Sequence, residues 1–173
     1  MRVALYEPDI PQNTGAILRL AACLGVTVDV IEPTGFVMTD KRLRRAGLDY
    51  IAATHMQTHR SWQSFQDRRL ATNSTGSTTG APPRLVLLTT AGDSSHLDWR
   101  FRADDILMVG RESEGVPATV ANACDGRIRI PIRPKLRSLN VATALAIVLG
   151  EALRQCGLYP DEDAEALRRI NAG

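Results

Sequence analysis

The chain has 173 residues, a formal net charge of +2, and a composition that is 44% hydrophobic, 23% charged and 5% aromatic. That is mass for one core and too little for two independent ones, and the balance excludes a disordered or collagen-like chain. No apolar run approaches the ~18 residues of a membrane span, and the opening apolar stretch is too short for a signal peptide, so the expectation is a single cytoplasmic domain over residues 1–173.

Residues 2–6 (RVALY) read as a short buried strand, and Pro8 and Pro11 make 7–11 a turn. Asn13 or Thr14 is placed to cap a helix running to about Leu24. Its apolar residues Ile17, Leu18, Ala21, Ala22 and Leu24 fall at helical spacing, and Gly25 ends it. Residues 27–31 form a second strand, and strand–helix–strand predicts a parallel pair joined by a right-handed crossover. A turn at 32–35 leads to Asp40, which can cap a short helix over the basic run that follows. Residues 61–70 read as an amphipathic helix with Trp62 and Phe65 three apart.

Residues 71–83 carry no charge and no apolar period, which predicts a flexible surface loop inserted in the domain. Residues 84–90 and 106–110 are continuous apolar runs, the pattern of parallel strands covered on both faces. A short helix over 118–123 follows, then a strand over 127–132 that alternates basic and apolar residues. Pro131 and Pro134 stiffen the turn after it. Residues 141–150 contain no charge and read as a buried helix; 159–173 form a C-terminal extension with an amphipathic helix over 161–170. The fold class is α/β, a mostly parallel sheet with helices on both faces.

Three strand ends carry small or polar residues: 89–92, 110–115 and 131–140. In an open α/β sheet, such loops at carboxyl ends of strands form the ligand crevice. The familiar fingerprints fail there. The glycines of 110–115 have P-loop spacing, but Val116-Pro117 stands where Lys and Ser or Thr are required, and GxGxxG, HExxH, CxxC and GxSxG are absent. These gaps argue against an ATPase, a dinucleotide dehydrogenase, a zinc hydrolase and a common serine hydrolase. His55 and His59 are four apart without a carboxylate nearby, so they read as surface or loop residues and no metal is expected. Cys23, Cys124 and Cys156 read as reduced core thiols.

Basic residues are almost all arginine; Lys41 and Lys135 are the only lysines. Genomic base composition and a preference for phosphate both account for that bias. One cluster, Lys41, Arg42, Arg44 and Arg45, is either a solvated face or an RNA contact. The other places Arg127, Arg129, Arg133, Lys135 and Arg137 within eleven positions without an acid, which favours a polyanion.

Three blocks, LYEPDIPQNTGAILRLAACLG, LMVGRESEGVP and IRIPIRPKLRSLNVATALAIVLGEALRQ, resemble the three motifs of SPOUT-class RNA 2′-O-methyltransferases. With the stretch IEPTGF…DKRLRRAGLDY, the chain is similar to the small bacterial enzymes that methylate the ribose of the wobble nucleotide of leucine tRNAs, cytidine or 5-carboxymethylaminomethyluridine at position 34. The resemblance covers most of residues 1–158 and leaves out 71–83. It implies a C-terminal deep trefoil knot, a homodimer, tRNA as partner, and S-adenosylmethionine as cofactor. It places the cofactor against Leu88, Thr89, Gly110, Ile130, Ser138 and Leu139, and gives Glu112 and Asn140 loop-fixing or substrate-positioning roles. Arg19 matches the arginine of the first motif; it either positions the reacting hydroxyl or a phosphate, or is a surface residue paired with Glu7 or Asp9. Arginine's very high pKa makes it a poor base. Lys41, Arg42, Arg44 and Arg45 are the RNA-binding candidates. Alternatives keep the chemistry on another tRNA or rRNA site, or make the chain a non-catalytic RNA-binding protein. The chain departs from the family at Gly150, where an aromatic residue often precedes the helix glutamate.

Overall fold

The structure, a computed structural model, describes residues 1–37, 55–71 and 80–161. In chain order the elements are β1 (Arg2–Tyr6), α1 (Pro11–Leu24), β2 (Thr27–Ile31), β3 (Met56–His59), α2 (Trp62–Ala71), β4 (Leu85–Leu88), β5 (Ser94–Ser95), β6 (Ile106–Val109), α3 (Ala118–Asn122), β7 (Gly126–Arg129) and α4 (Val141–Cys156). Among the described residues the strands form one sheet in the order β3-β2-β1-β6-β4-β7-β5, and every strand pair is parallel.

The apolar runs seen in the sequence become the central strands because alternate residues face two separate cores. On one face Val3, Leu5, Val28, Val30, Leu107 and Val109 pack against Ile17 and Leu18 of α1 and Leu145, Val148 and Leu149 of α4. On the other, Ala4, Tyr6, Ile31, Leu85 and Met108 pack against Phe65 of α2 and Val120 of α3. The expected parallel pairing of β1 with β2 is present, register Arg2↔Thr27 through Tyr6↔Ile31. Trp62 and Phe65 sit on one side of α2, their rings 5.7 Å apart.

Several boundaries differ from expectation. Helix α1 begins at Pro11, with extended Ile10 before it and no side-chain cap. Proline supplies a helical φ and needs no N–H in the first turn, so Asn13 is free for another task. Strand β4 covers Leu85–Leu88 rather than 84–90, and β7 stops at Arg129, since Pro131 cannot donate to a ladder. Helix α4 runs on to Cys156, beyond the uncharged stretch.

Strand β3 was not expected, because Met-Gln-Thr-His lacks an apolar alternation. His59, expected at the surface, is buried: its Nε2 lies 2.7 Å from Oδ1 of fully buried Asp29, which also accepts from Arg2 Nη2 at 2.5 Å. His96 is buried too, whereas His55 is exposed. Cys23 is exposed and not a core thiol; Cys124 and Cys156 are half-buried. The short β5 was also missed. The expected helices starting at Asp40 and over 161–170, and most of the 71–83 loop, lie outside the described residues.

Candidate active site

The sheet order fixes where a site can form. The chain builds outward through β1, β2 and β3, then returns to lay β6, β4 and β7 on the other side of β1. Loops after β4, β6 and β7 therefore emerge side by side at one carboxyl edge, the position of a ligand crevice in such sheets. They enclose a cavity of about 720 Å³, within the usual range for a cofactor site. Leu88, Thr89, Gly110, Ile130, Ser138 and Leu139 all line it, as do Asn13, Glu112 and Asn140.

Two close backbone approaches shape this pocket. A Cβ on Gly92 would lie 2.3 Å from the carbonyl carbon of Ile128, so only glycine lets the loop after β4 rest on β7. A Cβ on Gly110 would lie 2.5 Å from the carbonyl carbon of Gly115. That contact closes the loop after β6 as a tight hairpin, in which Arg111 and Gly115 exchange two backbone hydrogen bonds of 2.9 Å.

A chain of side-chain hydrogen bonds ties the three motif blocks together. Asn140 caps α4, its Oδ1 accepting from Ala142 N at 3.0 Å and Thr143 N at 3.2 Å. Its Nδ2 donates to Asn13 Oδ1 at 2.8 Å, and Asn13 Nδ2 donates to Glu112 Oε1 at 3.0 Å. Glu112 Oε2 accepts from Asp9 N at 3.2 Å, while Asp9 Oδ1 accepts from Glu112 N at 3.2 Å. Ser113 Oγ donates to Asp9, and Arg111 forms an ion pair with Glu7. Loops far apart in sequence are thus locked at the cavity rim. Burial, then the neighbouring Asp9 carboxylate, pushes the Glu112 carboxyl above its ordinary value. The hydrogen bond with Glu112 holds Asp9 below its own. The two carboxyls therefore differ in their hold on a proton.

Arg19 lies exposed on α1 and does not line the cavity. Glu7 pairs with Arg111, and Asp9 accepts from the 112–113 backbone. Lys41, Arg42, Arg44 and Arg45 lie outside the described residues. Sequence reasoning saw Asn13 only as a cap, and missed Asp9 and Arg111. The polar spacing Asp9–Asn13 was the available signal, but its partners are about a hundred residues away. At Gly150, a Cβ would lie 3.1 Å from the Tyr159 hydroxyl, so a later aromatic residue occupies the space beside the helix.

A parallel α/β sheet with a loop-built crevice at the carboxyl edge of its strands is the layout of a ligand-binding α/β fold. Residues 1–150 match the SpoU rRNA Methylase family, and the chain belongs to that family of methyltransferases. It is 50% identical to the tRNA (cytidine(34)-2′-O)-methyltransferase of Beijerinckia indica, over 90% of this chain and 91% of that protein. It is 43% identical to the enzyme of that name from Escherichia coli K12, over 92% of this chain and 96% of that protein. Among solved structures, one from work on 2′-OH methylation of C/U34 on tRNA superposes with a TM-score of 0.79 at 35% identity, covering 89% of this chain and 94% of the other. The methyltransferase AviRb from Streptomyces viridochromogenes, solved with AdoMet, gives a TM-score of 0.80 at 27% identity, covering 90% of this chain and 57% of the other.

Proposed function

We propose that the chain methylates the ribose 2′-hydroxyl of the wobble nucleotide, cytidine or 5-carboxymethylaminomethyluridine at position 34, of leucine tRNAs, using S-adenosylmethionine, in the cytoplasm and as a homodimer. The observation that carries this reading is the Asn140–Asn13–Glu112 chain of hydrogen bonds beside the cavity, which joins the three motif blocks at one rim. The relatives' named activity supports the target nucleotide.

The cavity suits the cofactor. Leu87, Leu88, Val109, Ile130 and Leu139 give apolar walls for an adenine, and Thr89 and Ser138 add hydroxyls at its edges. The chemistry supplied when it is bound is an activated sulfonium methyl. The chain has then to hold a ribose hydroxyl in line and favour loss of its proton. Glu112 and the amides of Asn13 and Asn140 are the polar groups at the rim that can orient that hydroxyl. Arg19 would act on a phosphate or ribose from α1, outside the cavity wall, as a positioning residue. Exposed Ile10 and Leu139, just before α1 and α4 at the cavity, and Ile147 midway along α4 would give a second copy apolar surface.

Nucleoside mass spectrometry of tRNA from a deletion strain tests the reading. Loss of 2′-O-methylation at position 34 of leucine tRNAs is expected. Unchanged methylation there, with loss at another tRNA or rRNA site, would move the same chemistry elsewhere; absence of S-adenosylmethionine binding by purified protein would leave only an RNA-binding role.

A further inference from the structure

We propose that the outward side of the 130–140 loop is a binding strip for an RNA phosphodiester backbone, with Arg133, Lys135 and Arg137 holding phosphates that flank the nucleotide in the cavity. The inference rests on the RNA-directed reading above and identifies the groups that grip the strand.

The loop has two sides with different chemistry. Ile130, Ile132, Ser138 and Leu139 line the cavity. Arg133, Lys135 and Arg137 do not; they are exposed. The preceding arginines of the cluster are already committed, Arg127 Nε to Asp93 at 2.8 Å and Arg129 Nη1 to the Gly92 carbonyl at 2.8 Å. Arg133, Lys135 and Arg137 make no ion pair or side-chain hydrogen bond among the described residues. No acid occurs between Asp125 and Glu151.

Backbone geometry concentrates these charges. Leu136 N donates to Arg133 O at 3.3 Å, and Lys135 has a left-handed φ of 77°. A tight turn therefore gathers three cations within five positions. Like charges held this close repel, and a polyanion relieves that repulsion while releasing its own counterions. Because the same loop forms the cavity wall, a strand along the strip has its ribose near Asn140 and its phosphates near the cations.

The test is a salt series of binding to a fluorescent anticodon stem-loop and to an unrelated RNA hairpin of equal length. The variant R133Q/K135Q/R137Q is compared with the charge-keeping R133K/K135R/R137K. Neutralisation is expected to weaken binding of both RNAs by about tenfold or more near physiological salt and to lower the slope of log Kd against log salt by about 2, for three phosphate contacts on a single strand. The charge-keeping variant should bind nearly as the wild type, and S-adenosylmethionine affinity by calorimetry should not change in either. An unchanged salt slope in the neutralised protein, or a charge-keeping variant as weak as it, overturns the strip. Loss of binding to the unrelated hairpin reads the strip independently of which nucleotide is methylated.

Discussion

Replacing Asn140 separates the two jobs its side chain performs. In Asn140→Ala, the Ala142 and Thr143 N–H groups lose their acceptor and Asn13 loses a donor. Loss of an N-cap costs about 1 kcal/mol, and the exposed amide–amide bond adds about 0.5–1 kcal/mol. For a domain of this size, a total near 1.5–2 kcal/mol lowers the Tm by about 3–8 °C. Asn140→Asp keeps a good cap, and its charge suits a helix N-terminus, so its Tm should stay within about 2 °C of wild type. The carboxylate introduced there, however, cannot donate to Asn13. The Asn13 amide must turn, and its oxygen then faces Glu112, acceptor against acceptor. Glu112 should respond by binding its proton more tightly, seen as a higher titration midpoint of its carboxyl carbon by NMR. Thermal unfolding and that titration are the assays. A Tm in Asn140→Asp as low as in Asn140→Ala, or an unaltered Glu112 midpoint, would refute the arrangement of donors described above.

Glu112 also sets a pH dependence. Its folded pKa is raised above the ordinary 4.5, so between that value and the raised one the native state holds more protons than the unfolded state and stability falls as pH rises. Asp9 is depressed below 3.8 and its stabilisation is lost only as pH falls below that range. In Glu112→Gln the decline above 4.5 should disappear from a denaturant series taken at stepped pH. Gly110→Ala should cost about 1–3 kcal/mol by overpacking and weaken S-adenosylmethionine binding in calorimetry, since its Cβ meets the Gly115 backbone at 2.5 Å; wild-type affinity would contradict the tight loop. With a disulfide reagent at mildly alkaline pH, exposed Cys23 should react at once. Cys124, pushed up to about 12 by burial, should react only on unfolding, and equal rates would show the assignment to be wrong.

Much of this architecture could be read from pattern. Apolar runs such as 106–109 and the spacing of Ile17, Leu18 and Ala21 record burial on the two faces of a sheet, so strands and helices were visible. The crevice was visible as three polar strand ends. What stayed hidden depends on distant partners. Met56–His59 is a strand because backbone neighbours in β2 pair with it and because Asp29 receives His59; nothing in MQTH announces that. Asn13 reads as a cap until Pro11 is seen to open the helix and Glu112 to lie within reach. Cys23 follows an apolar stretch yet falls on the outer side of α1. The resemblance identified Glu112 and Asn140; their connection through Asn13 required coordinates.

The sheet order also sets a timetable for synthesis. Strand β1 is made first, but its neighbour β6 begins at Ile106, and Asn13 waits for Asn140. At roughly 5–20 residues per second, the first strand–helix–strand unit emerges several seconds before the chain that completes its other edge. During that interval β1 presents an open, apolar edge on the ribosome, and the long-range pairings that close it are slow to form. The unit is therefore most in need of protection before β6 has emerged, and a competent crevice can exist only once Asn140 and the helix it caps have been made.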